Sequence, residues 1–310
     1  MTGPLVALTG ATGFIGRHLL RELPKRGYRV RVLLRRPAEL PPEASGAVVG
    51  DIARPQNMGA ALSGVDAVIH SAGIAHAMSG TPEDDYRVLN TEATVGLARA
   101  AEKARAKRFV FLSSIRAQTG PAAEDVLTEA DKAAPTDVYG RSKLAAEEGL
   151  AALGIDWVAL RPVLVYGPGV KGNMAALVRL ARSPYPLPIG GLAAKRSLLC
   201  LDNLAAAIDT VLKAPGPLRR PLIVADPEPL TVPDMIAALR EGLGRGPGVF
   251  PVPRTVMEAA FRALGRAEAF ERLAGSLVAS PAALQALGWA PPVGTKAGLA
   301  ALARSPDSGA

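Results

Sequence analysis

The sequence predicts a doubly wound α/β fold, a parallel sheet covered by helices, with a smaller mixed α/β lobe at the carboxyl end. Three observations carry that expectation. Up to residue 160, short β-branched or apolar runs alternate with longer stretches rich in Ala, Leu and Arg, the pattern of successive βαβ units. A glycine-rich turn, Thr9-Gly10-Ala11-Thr12-Gly13-Phe14-Ile15-Gly16, directly follows the first apolar run and opens a helical stretch. After Arg161-Pro162 the pattern changes: Pro and Gly cluster at 166–172, 184–191, 215–221 and 227–233, with helical runs between them.

Taken in order, strands are expected at Leu5–Leu8, Val30–Leu34, Ala47–Val49, Ala67–His70, Phe109–Leu112 and Trp157–Leu160. Helices are expected at Gly13–Lys25, Tyr86–Lys107 and Val138–Leu153, each long enough for a crossover between parallel strands. This divides the chain into a dinucleotide-binding domain over 1–165 and a substrate lobe over 166–310. Part of 200–226, Leu222–Ala225 in particular, is expected to return to the first sheet.

The chain of 310 residues is 49% hydrophobic, 21% charged and 4% aromatic, which excludes disordered, fibrous and coiled-coil classes. No apolar run approaches the roughly 18 residues of a membrane span. Met1-Thr2-Gly3-Pro4 lacks the basic and apolar regions of an export signal, so the cytosol is the expected compartment. The single cysteine, Cys200, lies among leucines and reads as a buried thiol. Lys and Arg number 36 against 28 Asp and Glu, a formal charge of +8. The basic residues are scattered, without the aromatic-interleaved stripe of a nucleic-acid binder, so a phosphate-bearing small molecule is the expected partner.

Gly10, Gly13 and Gly16 stand where a strand-to-helix turn must let a pyrophosphate approach backbone amides. The second predicted strand ends in Leu34-Arg35-Arg36, without the carboxylate that usually meets the adenosine ribose. A guanidinium suits a 2′-phosphate, so NADP is favoured, with NAD possible; Arg35 is the better candidate of the two. Tyr139 and Lys143 are four apart on a predicted helix and share a face, so the ammonium is expected to lower a phenol pKa that is ordinarily near 10. The fifth strand ends in Ser113-Ser114, and strand ends and helix starts meet at the ligand crevice of such a sheet. Ser114 is the preferred partner of the reacting oxygen, with Ser113 the alternative. His70 reads as the end of a buried strand, and His76 as a loop residue. Glu83-Asp84-Asp85 precedes a helix and reads as dipole-stabilising, so no metal is implied.

These residues resemble the NAD-dependent epimerase/dehydratase group of the extended short-chain dehydrogenase/reductases, nearly end to end. Thr9–Gly16 fits the group's TGxxGxxG. Asp51-Ile52 fits its adenine-contacting position, Ser71-Ala72-Gly73 its fourth-strand motif and Asn90 its helix asparagine. Ser114, Tyr139 and Lys143 fit its catalytic residues, and Arg161-Pro162 with Val165-Tyr166-Gly167-Pro168-Gly169 fits its RPxxVYGPG. The resemblance implies a Rossmann domain whose cofactor contacts are Gly10, Thr12, Gly13, Phe14, Ile15, Gly16, Asp51, Ile52, Ser71, Ala72, Gly73, Asn90, Tyr139, Lys143 and Pro162. It also implies substrate contacts at Ser114, Asn173 and Arg196, and a homodimer. Departures are a longer turn after Ser114, Arg35 in place of an acidic residue, and Ala93 where glycine is usual.

The resulting expectation is a nicotinamide-dependent epimerase or reductase acting on a ring hydroxyl or keto carbon of a nucleotide-diphosphate sugar. Two alternatives stand beside it. One is an NADPH-dependent reductase of an apolar ketone, of the dihydroflavonol-reductase or hydroxysteroid type. The other is a non-catalytic NADP-binding scaffold.

Overall fold

The structure, a computed structural model, describes residues 3–74, 80–263, 265, 270 and 274–305. Seven parallel strands form the central sheet in the order β10-β6-β5-β4-β1-β2-β3. They are β1 (Leu5–Thr9), β2 (Arg29–Leu34), β3 (Ala44–Val48), β4 (Ala67–His70), β5 (Arg108–Leu112), β6 (Trp157–Pro162) and β10 (Arg220–Val224). Period-two alternation sends successive side chains to opposite layers. Val6 and Leu8, Val110 and Leu112, and Val158 and Leu160 enter the core on one face. Leu5 and Ala7, Phe109 and Phe111, and Trp157 and Ala159 enter the core on the other. Strands buried on both faces read as continuous apolar runs, which is why they were visible in the sequence.

The covering helices are α1 (Phe14–Lys25), the short α2 (Met58–Ala61) and α3 (Glu83–Tyr86), α4 (Ala93–Lys103) and α5 (Val138–Ala151). The helix expected over Tyr86–Lys107 is interrupted: a π-turn, Arg87–Glu92, joins α3 to α4, and α4 ends at Lys103, just before Arg105 adopts a left-handed φ of 62°. A π-turn has the same apolar periodicity as its flanks over so short a span, so the sequence pattern does not reveal it. A 3₁₀ turn, Ile115–Ala117, follows β5.

Beyond β6 come β7 (Leu164–Tyr166), α6 (Gly172–Arg182), β8 (Lys195–Arg196), β9 (Leu198–Cys200) and α7 (Leu201–Lys213). After β10 follow β11 (Leu230–Thr231), α8 (Val232–Gly242), α9 (Arg254–Ala263) and the helices Ala282–Gln285 and Thr295–Arg304. The pairs β7–β9 and β8–β11 form two-stranded sheets. These strands of two or three residues fell below what alternation can show. A separate apolar cluster built on Tyr166, Met174, Met235, Leu239 and Leu299 fills the lobe. Asp226, two residues past β10, ties the two parts together: it accepts from the Cys200 amide, the Asn203 side chain and the Tyr166 hydroxyl. Cys200 is buried and unbridged, and burial pushes its thiol up to about 11.

Candidate active site

Gly10 closes β1 with φ +70°, and a Cβ there would lie 2.7 Å from the Ala72 nitrogen; at Gly16 it would lie 2.0 Å from the Gly10 carbonyl. Both positions therefore require glycine for close backbone approach. Gly13 is the N-cap of α1, with no side-chain cap, and it and Thr12 are exposed. The first amides of α1 thus face an open cradle, the arrangement that suits a dinucleotide pyrophosphate. Phe14 packs toward the lobe and Ile15 toward the sheet core.

Arg35 stands exposed past the end of β2, its guanidinium 3.9 Å from the Asp51 carboxylate. Asp51 also accepts from the Ala53 amide, so a cation and a carboxylate stand together past the ends of β2 and β3. Ile52 is half-buried beside it.

Ser71 donates its hydroxyl to the Thr9 carbonyl, and the Ala72 amide donates to Thr9 Oγ1, which locks the β4 turn onto β1. The rest of this network has a defined direction. Thr94 donates to the Asn90 carbonyl, so it accepts from His70 Nε2–H at 3.0 Å. His70 Nδ1 then accepts from Thr9 Oγ1 at 2.7 Å. His70 is fully buried, and burial with the nearby Lys143 charge lowers its pKa to about 3. It is a neutral structural histidine. His76 lies outside the described residues.

Asn90, grouped by resemblance with the cofactor contacts, spends its amide elsewhere. Its Oδ1 accepts from the Ile74 amide at 2.8 Å, and Nδ2 donates to the Ile74 carbonyl and to Ser142 Oγ. Thr91 donates to the Ser142 carbonyl. The π-turn therefore clamps the β4 loop to α5, next to Lys143. Gly73 is part of the same contact, since a Cβ there would lie 2.8 Å from Asn90 Oδ1 and 3.4 Å from Lys143 Nζ.

Asp137 caps α5 by accepting from the Gly140 amide at 2.7 Å and is itself paired with Arg116. At Gly140 a Cβ would lie 2.2 Å from the Arg116 carbonyl, so glycine is what lets α5 dock against the turn after β5. That docking brings Tyr139 to Ser114. Ser114 Oγ accepts from the Arg116 amide at 3.1 Å and is also hydrogen-bonded to the Tyr139 phenol. Ser113 instead donates to Glu147, at 2.5 Å. Of the two serines, only Ser114 meets the phenol.

Lys143 is buried, donates to the Leu112 carbonyl at 2.9 Å and lies 4.5 Å over the Phe111 ring. Burial lowers its pKa to about 8. One expectation fails in this geometry. The Tyr139 pKa is raised, chiefly by burial, against the Ser114 hydrogen bond that lowers it, and the flanking charges that act on it are Asp137 and Arg116; the Lys143 ammonium lies over the ring, 5.9 Å from its centroid, and does not lower it.

Pro162 is buried at the end of β6. Arg196 is half-buried on β8 and points Nη1 toward the Pro121 carbonyl at 3.4 Å, in the loop that follows the Ser114 turn. Asn173 is exposed in the first turn of α6 and is not brought into the Ser114–Tyr139–Lys143 group. Of the acidic run, Asp84 pairs with Arg87 and Glu83 with Arg141. Among the described residues, the one close group of metal-capable side chains is His18, Glu22 and Asp202; His18 meets Asp202 at 3.1 Å and Glu22 meets Lys25 at 2.6 Å, so each has a protein partner. No helix among the described residues is long and apolar enough to cross a membrane.

The sequence profile described as the NAD dependent epimerase/dehydratase family matches residues 6–224. A UDP-glucose 4-epimerase of Vibrio cholerae is 35% identical over 300 residues, covering 93% of this chain and 90% of its own length. The solved structure of MoeE5 in complex with UDP-glucose and NAD is 28% identical, covers 95% of this chain and 96% of its own, and superposes with a TM-score of 0.71. A ceramide reductase of Caulobacter vibrioides is 31% identical over 214 residues, covering 68% of this chain and 62% of its own length. The chain belongs to the NAD-dependent epimerase/dehydratase family, as a nicotinamide-dependent enzyme of the extended short-chain dehydrogenase/reductase type.

Proposed function

We propose that this enzyme acts on a ring hydroxyl or keto carbon of a nucleotide-diphosphate sugar, as a 4-epimerase or 4-keto reductase. The observation that carries the reading is the meeting of Ser114, Tyr139 and Lys143 at the carboxyl end of β5, beside the glycine cradle of α1. The similarity to a UDP-glucose 4-epimerase over nine-tenths of the chain supports the nucleotide-sugar class.

Gly10, Gly13 and Gly16 are the groups that would hold the pyrophosphate, and Lys143 the nicotinamide ribose. A bound nicotinamide supplies hydride transfer at the substrate carbon. Tyr139 holds and moves the proton at the substrate oxygen, and Ser114 orients that oxygen. The cationic nicotinamide ring and the ribose-bound ammonium would lower a phenol pKa that burial alone raises. Arg35 and Arg36 favour NADP, through a 2′-phosphate, while Asp51 remains able to accept from a free ribose hydroxyl.

The test is to offer UDP-glucose, UDP-N-acetylglucosamine and dTDP-glucose with each cofactor, and to follow epimer formation and reduced-cofactor consumption separately. Turnover of any of them, with KM raised about tenfold or more by Arg196→Ala, supports the reading. Turnover of an uncharged ketone alone sinks it in favour of the second reading, an apolar-carbonyl reductase, which the ceramide reductase relative favours.

A further inference from the structure

Tyr139, Lys143 and Glu147 recur at every fourth residue of α5 and so lie on one stripe of that helix. The first two belong to the proposed site. The third is a carboxylate buried to 4% exposure in the same layer, which is costly unless it is paired and hydrogen-bonded. It is both. Arg161 on β6, equally buried, donates Nε to Glu147 Oε1 at 3.1 Å and Nη2 to Oε2 at 2.5 Å. Ser113 donates to the same carboxylate at 2.5 Å. The remaining arm of Arg161, Nη1, donates to Gln118 Oε1 at 2.9 Å, and Gln118 in turn donates to the Thr128 carbonyl.

Through the reading above, in which Lys143 holds the cofactor ribose, we propose that Glu147 is a positioning residue of this enzyme: clamped by Arg161, it is the buried counter-charge of the Lys143 ammonium and, through Ser113, the bolt that fixes the β5 turn carrying Ser114 to α5. The argument is one of charge. Among the described residues, Lys143 has no carboxylate at hydrogen-bond distance; it has a carbonyl and an aromatic face. Burial drives its ammonium toward neutrality, and Glu147 is the group that opposes this. The other ionisable groups around the pair do not replace it. His70 on β4 is neutral, Arg161 on β6 is a cation, Arg116 after β5 is spent on Asp137, and Tyr86 and Tyr139 are phenols.

Lys143 holds a ribose hydroxyl as a strong, charge-assisted donor only while it is protonated, and it loses that charge as pH rises through about 8. The affinity for NADPH, measured by its fluorescence without any substrate, should therefore hold from about pH 7, where the 2′-phosphate is already charged, and fall through an alkaline limb. In Glu147→Gln that limb should move to lower pH by about one unit, so that affinity near pH 8 drops roughly tenfold. Because Glu147→Gln strands Arg161 and can fail to fold, the paired replacement Glu147→Leu with Arg161→Met is the second variant; swapping a buried pair for apolar side chains is often tolerated, and its limb should move in the same direction by a smaller amount, because the Arg161 cation leaves with the carboxylate. Ser113→Ala, which cuts the bolt and keeps both charges, should leave the limb in place. A limb unmoved in both Glu147 variants, with melting temperatures that show folded protein, overturns the proposal, as does a limb moved equally by Ser113→Ala. A wild-type profile with no alkaline limb overturns the Lys143 reading itself and, with it, the counter-charge role.

Discussion

Removing one oxygen from Tyr139 tests the site most directly. In Tyr139→Phe the ring keeps its edge-on packing against Tyr86, at 6.5 Å between centroids, while the hydroxyl proposed to carry the proton is gone. Turnover should fall by about 10²–10⁴-fold with cofactor affinity largely unchanged, read by steady-state kinetics and by titration with NADPH. At Arg35, exposed and only 3.9 Å from Asp51, a change to Asp sets two carboxylates where a 2′-phosphate would sit. NADP affinity should fall about ten- to a hundredfold at low salt and NAD should approach parity, with the difference shrinking as ionic strength rises. Gly10, Ser114, Tyr139 and Lys143 were legible because motif spacing and helix periodicity are local. The work of the arginines was not. Arg240 is fully buried and donates to the carbonyls of Ala181, Ser183, Tyr185, Pro247 and Gly248, and Arg108 pairs with Asp156 and serves the carbonyls of Ala214 and Gly216. In the sequence such residues look like scattered surface charge. Their partners lie many residues away, so part of the basic excess is spent inside the fold and is not offered to a ligand.

Helix α5 is the element on which the site depends, and it is seated by the absence of a side chain. Gly140→Ala would push a methyl to within 2.2 Å of the Arg116 carbonyl, so the helix must retreat from the turn that carries Ser114. Overpacking of this kind costs about 1–3 kcal/mol, and turnover should fall further than the melting temperature alone would suggest, because Tyr139 is the adjacent residue. A contrasting change sits in the lobe. Thr231 and Asp234 form a reciprocal capping box at the start of α8, away from Tyr139. Thr231→Ala should lower stability by about 1 kcal/mol in a urea titration and leave kcat unchanged. The π-turn at Arg87–Glu92 belongs to the same scale. A sequence periodicity predicts one helix there, yet the extra residue per turn is what lets Asn90 reach the Ile74 backbone and Ser142 together.

At the level of the whole molecule, the buried His70 couples stability to acidity. Its pKa is lowered to about 3 in the fold, against the ordinary 6.5 of the unfolded chain, so between those values the unfolded state binds the extra proton. Stability rises with pH through that window, by up to about 1.4 kcal/mol per unit, and is lost as pH falls. Urea midpoints taken between pH 7 and pH 4.5 should drop more steeply in the wild type than in His70→Gln; equal slopes would assign the acid sensitivity to other groups. The order of the sheet carries a last consequence, for the chain as it is being made. Strand β6 pairs with β5 on one side and with β10 on the other, and β10 follows the first half of the lobe in the sequence. At about 5–20 residues per second, a ribosome leaves the apolar β6 edge from Val158 to Leu160 without its neighbour for several seconds. Through that interval the growing chain carries an open template for strand pairing with its neighbours on a polysome, and the lobe must be translated past before the nucleotide half can seal itself.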